Sequence, residues 1–298
     1  RKGYKINEYG VFQGENRVAG KTEKEVYQQV GLAYMEPELR EDRGEVEAAQ
    51  QNKLPQLVRR EDLRGDLHSH TRTSDGRSSL EDMAQSAREQ GYEYLAITEH
   101  SKRVSVANGL DPERLKKQMK QIDALNDKIE DITLLKGIEV DILKDGSLDL
   151  PDDVLGKLDL TVCSVHYYRN LSRRKQTDRI VRAMSNPHFN ILAHPTGRLI
   201  NEREAYDVDL EEVIQAAADL GCFLELNSHP DRLDLSDRYC RMARDMRVKV
   251  AISTDAHSAE ELGLIRFGVG QARRGWLESD DVLNTRSLKQ LKKLLKRQ

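Results

Sequence analysis

Gly65-Asp66-Leu67-His68-Ser69-His70-Thr71 is the stretch from which the fold is read. Its apolar and polar residues alternate, which is the pattern of a β-strand, and residues two apart in a strand point to the same face. His68 and His70 therefore project together, as two imidazoles must to grip one metal ion. Taken alone, a His-x-His pair in a strand is weak evidence for a metal site. What favours metal is the rest of the chain, where strand after strand ends in another possible ligand.

Outward from this stretch the chain alternates strand and helix. The pattern predicts strands over 65–71, 92–100, 132–143, 159–166, 189–194, 222–227 and 249–255. Between them, 79–90 carries Leu80, Met83, Ala84 and Ala87 at helical spacing, and 111–129 carries Leu115, Met119, Ile122, Leu125 and Ile129. Leu210, Val213, Ile214 and Ala217 mark a further helix, and others are expected near 172–185, 236–246 and 285–297. Continuous apolar strands separated by amphipathic helices imply a parallel sheet covered on its outside. Seven such units predict an α/β fold, a closed or nearly closed (β/α)7 barrel.

A barrel of this kind places its active site at the C-terminal ends of the strands. There, in order, stand His68, His70, Asp75, His100, Glu139, His166, His194, Asp255 and His257. Six of the eight histidines fall at such positions, which scatter over helices and loops would rarely produce. Nitrogen and oxygen donors without thiolate favour Zn, Mn or Fe, and nine ligands are too many for one ion. Two or three divalent metal ions in one cleft is the natural reading. Clustered cations lower the pKa of a bound water and stabilise a phosphoryl oxygen, so the chemistry expected is phosphate-ester hydrolysis.

Composition narrows the class. Charged residues make up 33% of the chain and no apolar run approaches the roughly 20 residues of a membrane span, so a soluble protein without a membrane partner is expected. Cys163, Cys222 and Cys240 form no Cys-x-x-Cys pair, which suits reduced thiols and a cytoplasmic setting. The net charge of −3 argues neither for nor against nucleic acid. The opening on Arg1 rather than Met reads as a piece of something longer.

Residues 1–45 do not share the strand–helix alternation of the barrel region. Tyr4 to Phe12 is strand-like, and Thr22 followed by Glu23 and Glu25 caps a helix that should stop near Gly31. This piece is too short for a core of its own, and a polar linker over 46–64 separates it from the barrel at 65–298. Ile6-Asn7-Glu8-Tyr9-Gly10, Thr22-Glu23, Val26-Tyr27 and Pro37-Glu38-Leu39-Arg40 together resemble the end of the thumb subdomain of family X DNA polymerases. The resemblance implies a small α+β thumb remnant, with the polymerase palm absent from this chain and no DNA synthesis.

A second resemblance covers about 65–275. His68-Ser69-His70, Asp75, His100, Glu139, Ser164-Val165-His166, His194-Pro195 and Asp255-Ala256-His257 are similar to the motifs of the polymerase and histidinol phosphatase (PHP) family. It implies a distorted (β/α)7 barrel with three metals. One would take His68, His70, Glu139 and Asp255; a second Glu139, His166 and His194; a third Asp75, His100 and His257. His68, His70, Glu139 and Asp255 would be the catalytic set. Thumb end plus such a domain resembles the C-terminal half of bacterial family X polymerases, which implies 3′–5′ exonuclease and DNA-end processing activity.

Other residues have two readings. Asp75 precedes Gly76 and could simply make a turn. His188 reads as a surface histidine, His229 as a substrate contact or a neighbour of the ligands, Asn227 as such a neighbour, and Asp141 as a residue that orients the ligands. Lys102, Arg103, Arg198 and Arg232 lie on loops at the expected active face and are the expected substrate-binding cations. Arg169, Arg173, Arg174, Lys175, Arg179 and Arg182 form either a DNA-tracking patch or a solvated helix face. Tyr167 and Tyr168 could stack on an unpaired base. Lys292, Lys293, Lys296 and Arg297 read as a solvated tail. The expectation is a monomeric, metal-dependent phosphodiesterase acting on DNA 3′ ends, single-stranded or gapped. The alternatives are a phosphomonoesterase of a small ester on the same fold, a metal-free structural module, and an amidohydrolase barrel. The last usually has a metal-bridging lysine at a strand end, and no predicted strand ends in one.

Overall fold

A computed structural model describes residues 3–296 of the chain. They form two compact units, Arg1–Gln56 and Leu57–Gln298. The expected linker over 46–64 begins in a helical turn, and from Leu57 onward it belongs to the second unit. Arg297 lies outside the described residues. Among those described, no helix is long and apolar enough to cross a membrane.

The first unit is an antiparallel sheet of β1 (Lys5–Asn7), β2 (Gly10–Gln13) and β3 (Asn16–Ala19), followed by helices α1 (Glu23–Val30) and α2 (Glu45–Gln50). The single strand expected over Tyr4–Phe12 is thus a hairpin, turned at Glu8 and Tyr9. Thr22 caps α1 and Gly31 ends it in a left-handed conformation, as the sequence predicts. Arg40 ties the unit together. Its guanidinium holds both oxygens of Glu23, at 3.0 and 2.8 Å, and sits over the rings of Tyr27 and Tyr34.

The second unit is the barrel. Its strands are β4 (Gly65–Asp66), β5 (Tyr94–Ile97), β6 (Thr133–Asp141), β7 (Leu160–Ser164), β8 (Ile191–Leu192), β9 (Phe223–Asn227) and β10 (Val250–Ser253). They lie side by side in chain order, and every pairing is parallel. The strands alternate with α3 (Leu80–Glu89), α4 (Pro112–Asn126), α5 (Asp152–Leu155), α6 (Arg173–Met184), α7 (Leu210–Leu220) and α8 (Asp237–Asp245); α9 (Ile265–Arg274) and α10 (Leu288–Leu295) come after the last strand. One apolar cluster lies between sheet and helices and includes Leu95, Ile97, Leu134 and Ile138. A second fills the barrel with Tyr94, Ala96, Leu135, Val162 and Ile191. Leu291 and Leu295 of α10 belong to this inner cluster, so the expected basic tail is a helix packed on the barrel, with its lysines exposed. Helix α9 was not expected from the sequence.

Seven strands leave a seam between β4 and β10, and hydrogen bonds close it. Asp255 N donates to His68 O (3.0 Å) and His70 N to Ala256 O (2.8 Å). The buried Asp66 carboxylate accepts from the Thr254 hydroxyl (2.6 Å) and backbone amide (3.1 Å), and burial raises its pKa to about 6. At the other end the buried Asn284 donates to Gly65 O (2.7 Å) and Ile252 O (2.8 Å) and accepts from Ile252 N (3.0 Å). An Asn284→Ala substitution strands three buried backbone groups at this seam. Urea unfolding should show a loss of about 3 kcal/mol or more; a loss below about 0.5 kcal/mol would mean that the seam closes without it.

Candidate metal centre

All nine expected ligands meet at one rim of the barrel. His68 and His70 leave β4, His100 follows β5, and Glu139 lies within β6 near its end. His166 follows β7, His194 follows β8, and Asp255 and His257 follow β10. Glu139 is at the centre. Its Oε2 is 2.7 Å from His100 Nδ1, 3.5 Å from His68 Nε2 and 3.6 Å from His70 Nε2. Its Oε1 is 3.0 Å from His194 Nε2 and 3.3 Å from His166 Nε2. One buried carboxylate therefore faces five imidazoles.

Eight of the nine donors fall into three groups, each with its atoms within 4.8 Å of one another: His68, His70, Glu139 and Asp255; His70, Asp75, His100 and His257; His100, Glu139 and His166. His194 is in none of them and meets the cluster through Glu139 Oε1. In the first, Asp255 Oδ1 is 3.4 Å from His68 Nε2 and 3.1 Å from His70 Nε2. Four ligands arranged tetrahedrally at about 2.0–2.1 Å from a common ion stand about 3.4 Å apart, so these spacings fit a cation. His68 Nε2 and His70 Nδ1 are buried without a hydrogen-bond partner, which a ligated ion would supply. His194 and Asp255 hold positive φ angles of 28° and 56°, backbone strain of the kind that functional sites retain.

Charge agrees with geometry. Burial pushes His68, His70, His100, His166 and His257 towards neutrality, and the carboxylates push back. At His100, Glu139 and Asp75 outweigh burial and raise the pKa to about 10. At His257, Asp75 and Asp255 raise it to about 9. His68, beside Asp255, Glu225 and Glu139, is likewise held well above its ordinary value despite burial. His70 goes the other way, to about 3, because burial is joined by His100 and His257. Burial would raise Glu139 and Asp255, but the surrounding imidazoles hold both well below the usual carboxylate range.

A family profile described as PHP domain matches residues 66–252, well over half of the chain. The chain belongs to the PHP domain family. A second profile, DNA polymerase beta thumb, matches residues 1–41. Along 99% of its length the chain is 43% identical to the DNA polymerase/3′-5′ exonuclease PolX of Bacillus subtilis, and it spans 52% of that protein. A probable phosphatase of Thermoanaerobacter sp. is 30% identical over 74% of this chain and 89% of its own. The solved histidinol phosphate phosphatase of Lactococcus lactis, complexed with zinc, L-histidinol and phosphate, superposes on 70% of this chain and 93% of its own at TM-score 0.46 and 15% identity.

Around the donors, the PHP barrel supplies a set of supporting carboxylates. Glu225 of β9, fully buried, holds His68 Nδ1 (2.7 Å) and the His194 amide (2.7 Å). A proton kept on Nδ1 by Glu225 leaves Nε2 of His68 free to ligate. Asp141 accepts from the His166 amide at 3.0 Å and faces its Nδ1, the orienting role expected. Glu99 binds the hydroxyls of Thr71 and Ser74 and the amide of Gln118, and so shapes the loop that presents Asp75. Asp75 itself faces His100 and His257, both at 3.4 Å, and does more than make a turn. The sequence pattern assigns no part to Glu225 or Glu99; Glu225 is a lone acid inside an otherwise apolar strand, and Glu99, two residues past the end of β5, carries no such signal.

The other expected positions divide. Arg232 reaches the cluster, its Nε 3.4 Å from Asp255 Oδ2, and its Nη1 is buried without a hydrogen-bond partner. Arg198 does not: its guanidinium is spent on the carbonyls of Arg232 and Leu233. Lys102 is exposed, and Arg103 lies over Tyr167 and Tyr168. His229 belongs to no donor group and faces Asp231; His188 is half-buried and lies outside the donor groups. The basic stretch after His166 is largely occupied. Arg179 is buried on backbone carbonyls, Arg173 pairs with Asp209, Arg174 with Asp178 and Glu212, and Arg182 binds Asp145 O. A DNA-tracking patch made of all six residues is therefore excluded.

With His100 and His257 titrating near 10 and 9, both rings carry a proton at about pH 7, and ligation must displace it. Calorimetric titration of the metal-free chain with Zn²⁺ in buffers of differing ionisation enthalpy should show about two or more protons released, with affinity rising as pH rises. Binding without proton release would contradict the assignment of these rings.

Proposed function

We propose that this chain hydrolyses phosphodiesters at the 3′ ends of DNA, as a metal-dependent 3′–5′ exonuclease holding two or three divalent cations, Zn, Mn or Fe. The observation that carries the reading is the Glu139 carboxylate with its five imidazoles in one rim-side cleft, beside the guanidinium of Arg232. His68, His70, Glu139 and Asp255 would hold one cation, Glu139, His166 and His194 a second, and Asp75, His100 and His257 a third. Cations so held activate water and stabilise charge on a phosphoryl oxygen. The chain's own part is to fix and neutralise. Arg232 offers its unpaired Nη1 to a phosphate oxygen, and the Glu225 carboxylate keeps His68 in the ligating tautomer.

DNA as substrate is supported by the thumb match and by the name of the Bacillus subtilis relative, of which the chain spans about half. A second reading, phosphomonoester hydrolysis, is favoured by the relatives named probable phosphatases, which align over much of their own length. A 3′-labelled single-stranded oligonucleotide and a simple phosphate monoester separate the two. The metal-loaded chain should degrade the first far faster than the second. Glu139→Ala should lower metal content and cut oligonucleotide cleavage on the order of a thousand-fold. Unchanged metal content and cleavage in that variant would sink the site; cleavage of the monoester alone would replace the first reading by the second.

A further inference from the structure

Beside the donor cluster, loops from three consecutive strands bring together an aromatic and cationic surface. Arg103 comes from the loop after β5, three residues past His100; Lys144 follows β6; Tyr167 and Tyr168 follow β7, directly after His166. The Arg103 guanidinium lies 5.2 Å from the centre of the Tyr167 ring and 5.7 Å from that of Tyr168, and Lys144 Nζ lies 5.4 Å from the latter. Arg103 Nη2 also donates to the Tyr168 hydroxyl at 3.3 Å.

The backbone beneath is fixed in an unusual way. The buried Arg179 guanidinium grips the carbonyls of Ile142, Leu143 and Tyr167, which joins the loop after β6 to the loop after β7. With the Tyr167 carbonyl turned inward, Tyr168 takes a left-handed conformation at φ 56°, which a bulky aromatic residue rarely adopts. Its ring is thereby presented to solvent, 42% exposed. Among the described residues no carboxylate pairs with the side chains of Arg103 or Lys144, although acidic residues outnumber basic ones along the chain, 51 to 48. An exposed aromatic face on a strained backbone, flanked by two cations without counter-ions, next to a phosphoesterase cleft, is ill-suited to packing. It suits a base above a phosphate strand.

We propose that Tyr168, with Tyr167 and Arg103, is the platform on which the terminal unpaired base of a single-stranded 3′ end stacks, so that the site takes nucleotides with a base in preference to bare phosphate esters. This rests on the exonuclease reading above and names its substrate class. Arg103 and Lys144 offer cations to the neighbouring phosphates, while stacking holds the scissile phosphate against the donor cluster.

The test uses the full chain loaded with Mn²⁺ and two single-stranded oligonucleotides, alike except that one ends in an abasic 3′ residue. The variants are Tyr168→Gly, whose backbone accepts φ 56° without strain, and Tyr168→Phe, which keeps the ring. Wild type and Tyr168→Phe should cleave the base-bearing end on the order of 10- to 100-fold more efficiently than the abasic end, mainly through KM. Tyr168→Gly should lose most of that preference. In the metal-free chain, a 3′-terminal 2-aminopurine should be quenched on binding to wild type and Tyr168→Phe, but much less on binding to Tyr168→Gly. A preference that survives in Tyr168→Gly, or no preference in wild type, overturns the platform while leaving exonuclease activity standing. If neither oligonucleotide is cleaved but p-nitrophenyl phosphate is hydrolysed, the exonuclease reading itself fails, and the platform with it.

Discussion

The seam between the first and last strands of the barrel sets the rest of the architecture. His70 and Asp255 are 185 residues apart, yet His70 Nε2 and Asp255 Oδ1 stand 3.1 Å from each other. They meet because backbone hydrogen bonds run from Asp255 to His68 and from His70 to Ala256. An open sheet would leave two edges and two half-sites. Asp66 and Asn284, both fully buried, complete the seam with side-chain hydrogen bonds where backbone pairing is missing. Gly65 is needed there as well, since a Cβ would fall 2.2 Å from Tyr94 O and 2.3 Å from its ring. The barrel below is filled by side chains, so a cleft can form only at the rim.

At that rim the electrostatics are balanced between groups that each alone would be costly to bury. Glu139 and Asp255 are desolvated acids held ionised by imidazoles; His68 and His100 are desolvated bases held protonated by acids. His70, with His100 and His257 packed against it at 4.4 and 4.3 Å, is the ring that stays neutral. Protons fill the role that divalent cations take over, which explains why so many titratable groups fit into one buried volume. The supporting acids Glu225, Asp141 and Glu99 lie one layer further out and aim the rings.

Much of this was legible in the sequence because parallel strands are short, apolar and directional. Once seven apolar runs are aligned, their C-terminal ends must share one rim; Glu139 lies near the end of β6, and His100, His166 and Asp255 lie just past the ends of β5, β7 and β10. The mistakes have local causes. Helix α9 was hidden by Gly268 and Gly270; Gly268 is there because a Cβ would meet Ser228 Oγ at 2.0 Å and Ile252 Cγ2 at 2.7 Å, so the helix lies tight on the sheet. The hairpin of β1 and β2 turns at Glu8-Tyr9, neither of which favours a turn; the signal lies in the flanking Asn7, whose Oδ1 accepts from the Tyr9 amide, and Gly10. Arg179 looked like a surface cation because its partners are backbone carbonyls of distant loops, which no side-chain pattern announces. Glu225 could not be assigned without His68, 157 residues away.

The account stands on cations gathered around Glu139, and the most direct test is anomalous diffraction from crystals of the chain grown with Mn²⁺. Peaks should appear within ligand distance of Glu139 Oε1 and Oε2, at the donor groups that share it. Peaks confined to other parts of the molecule, with Glu139 still contacting only imidazoles, would contradict it.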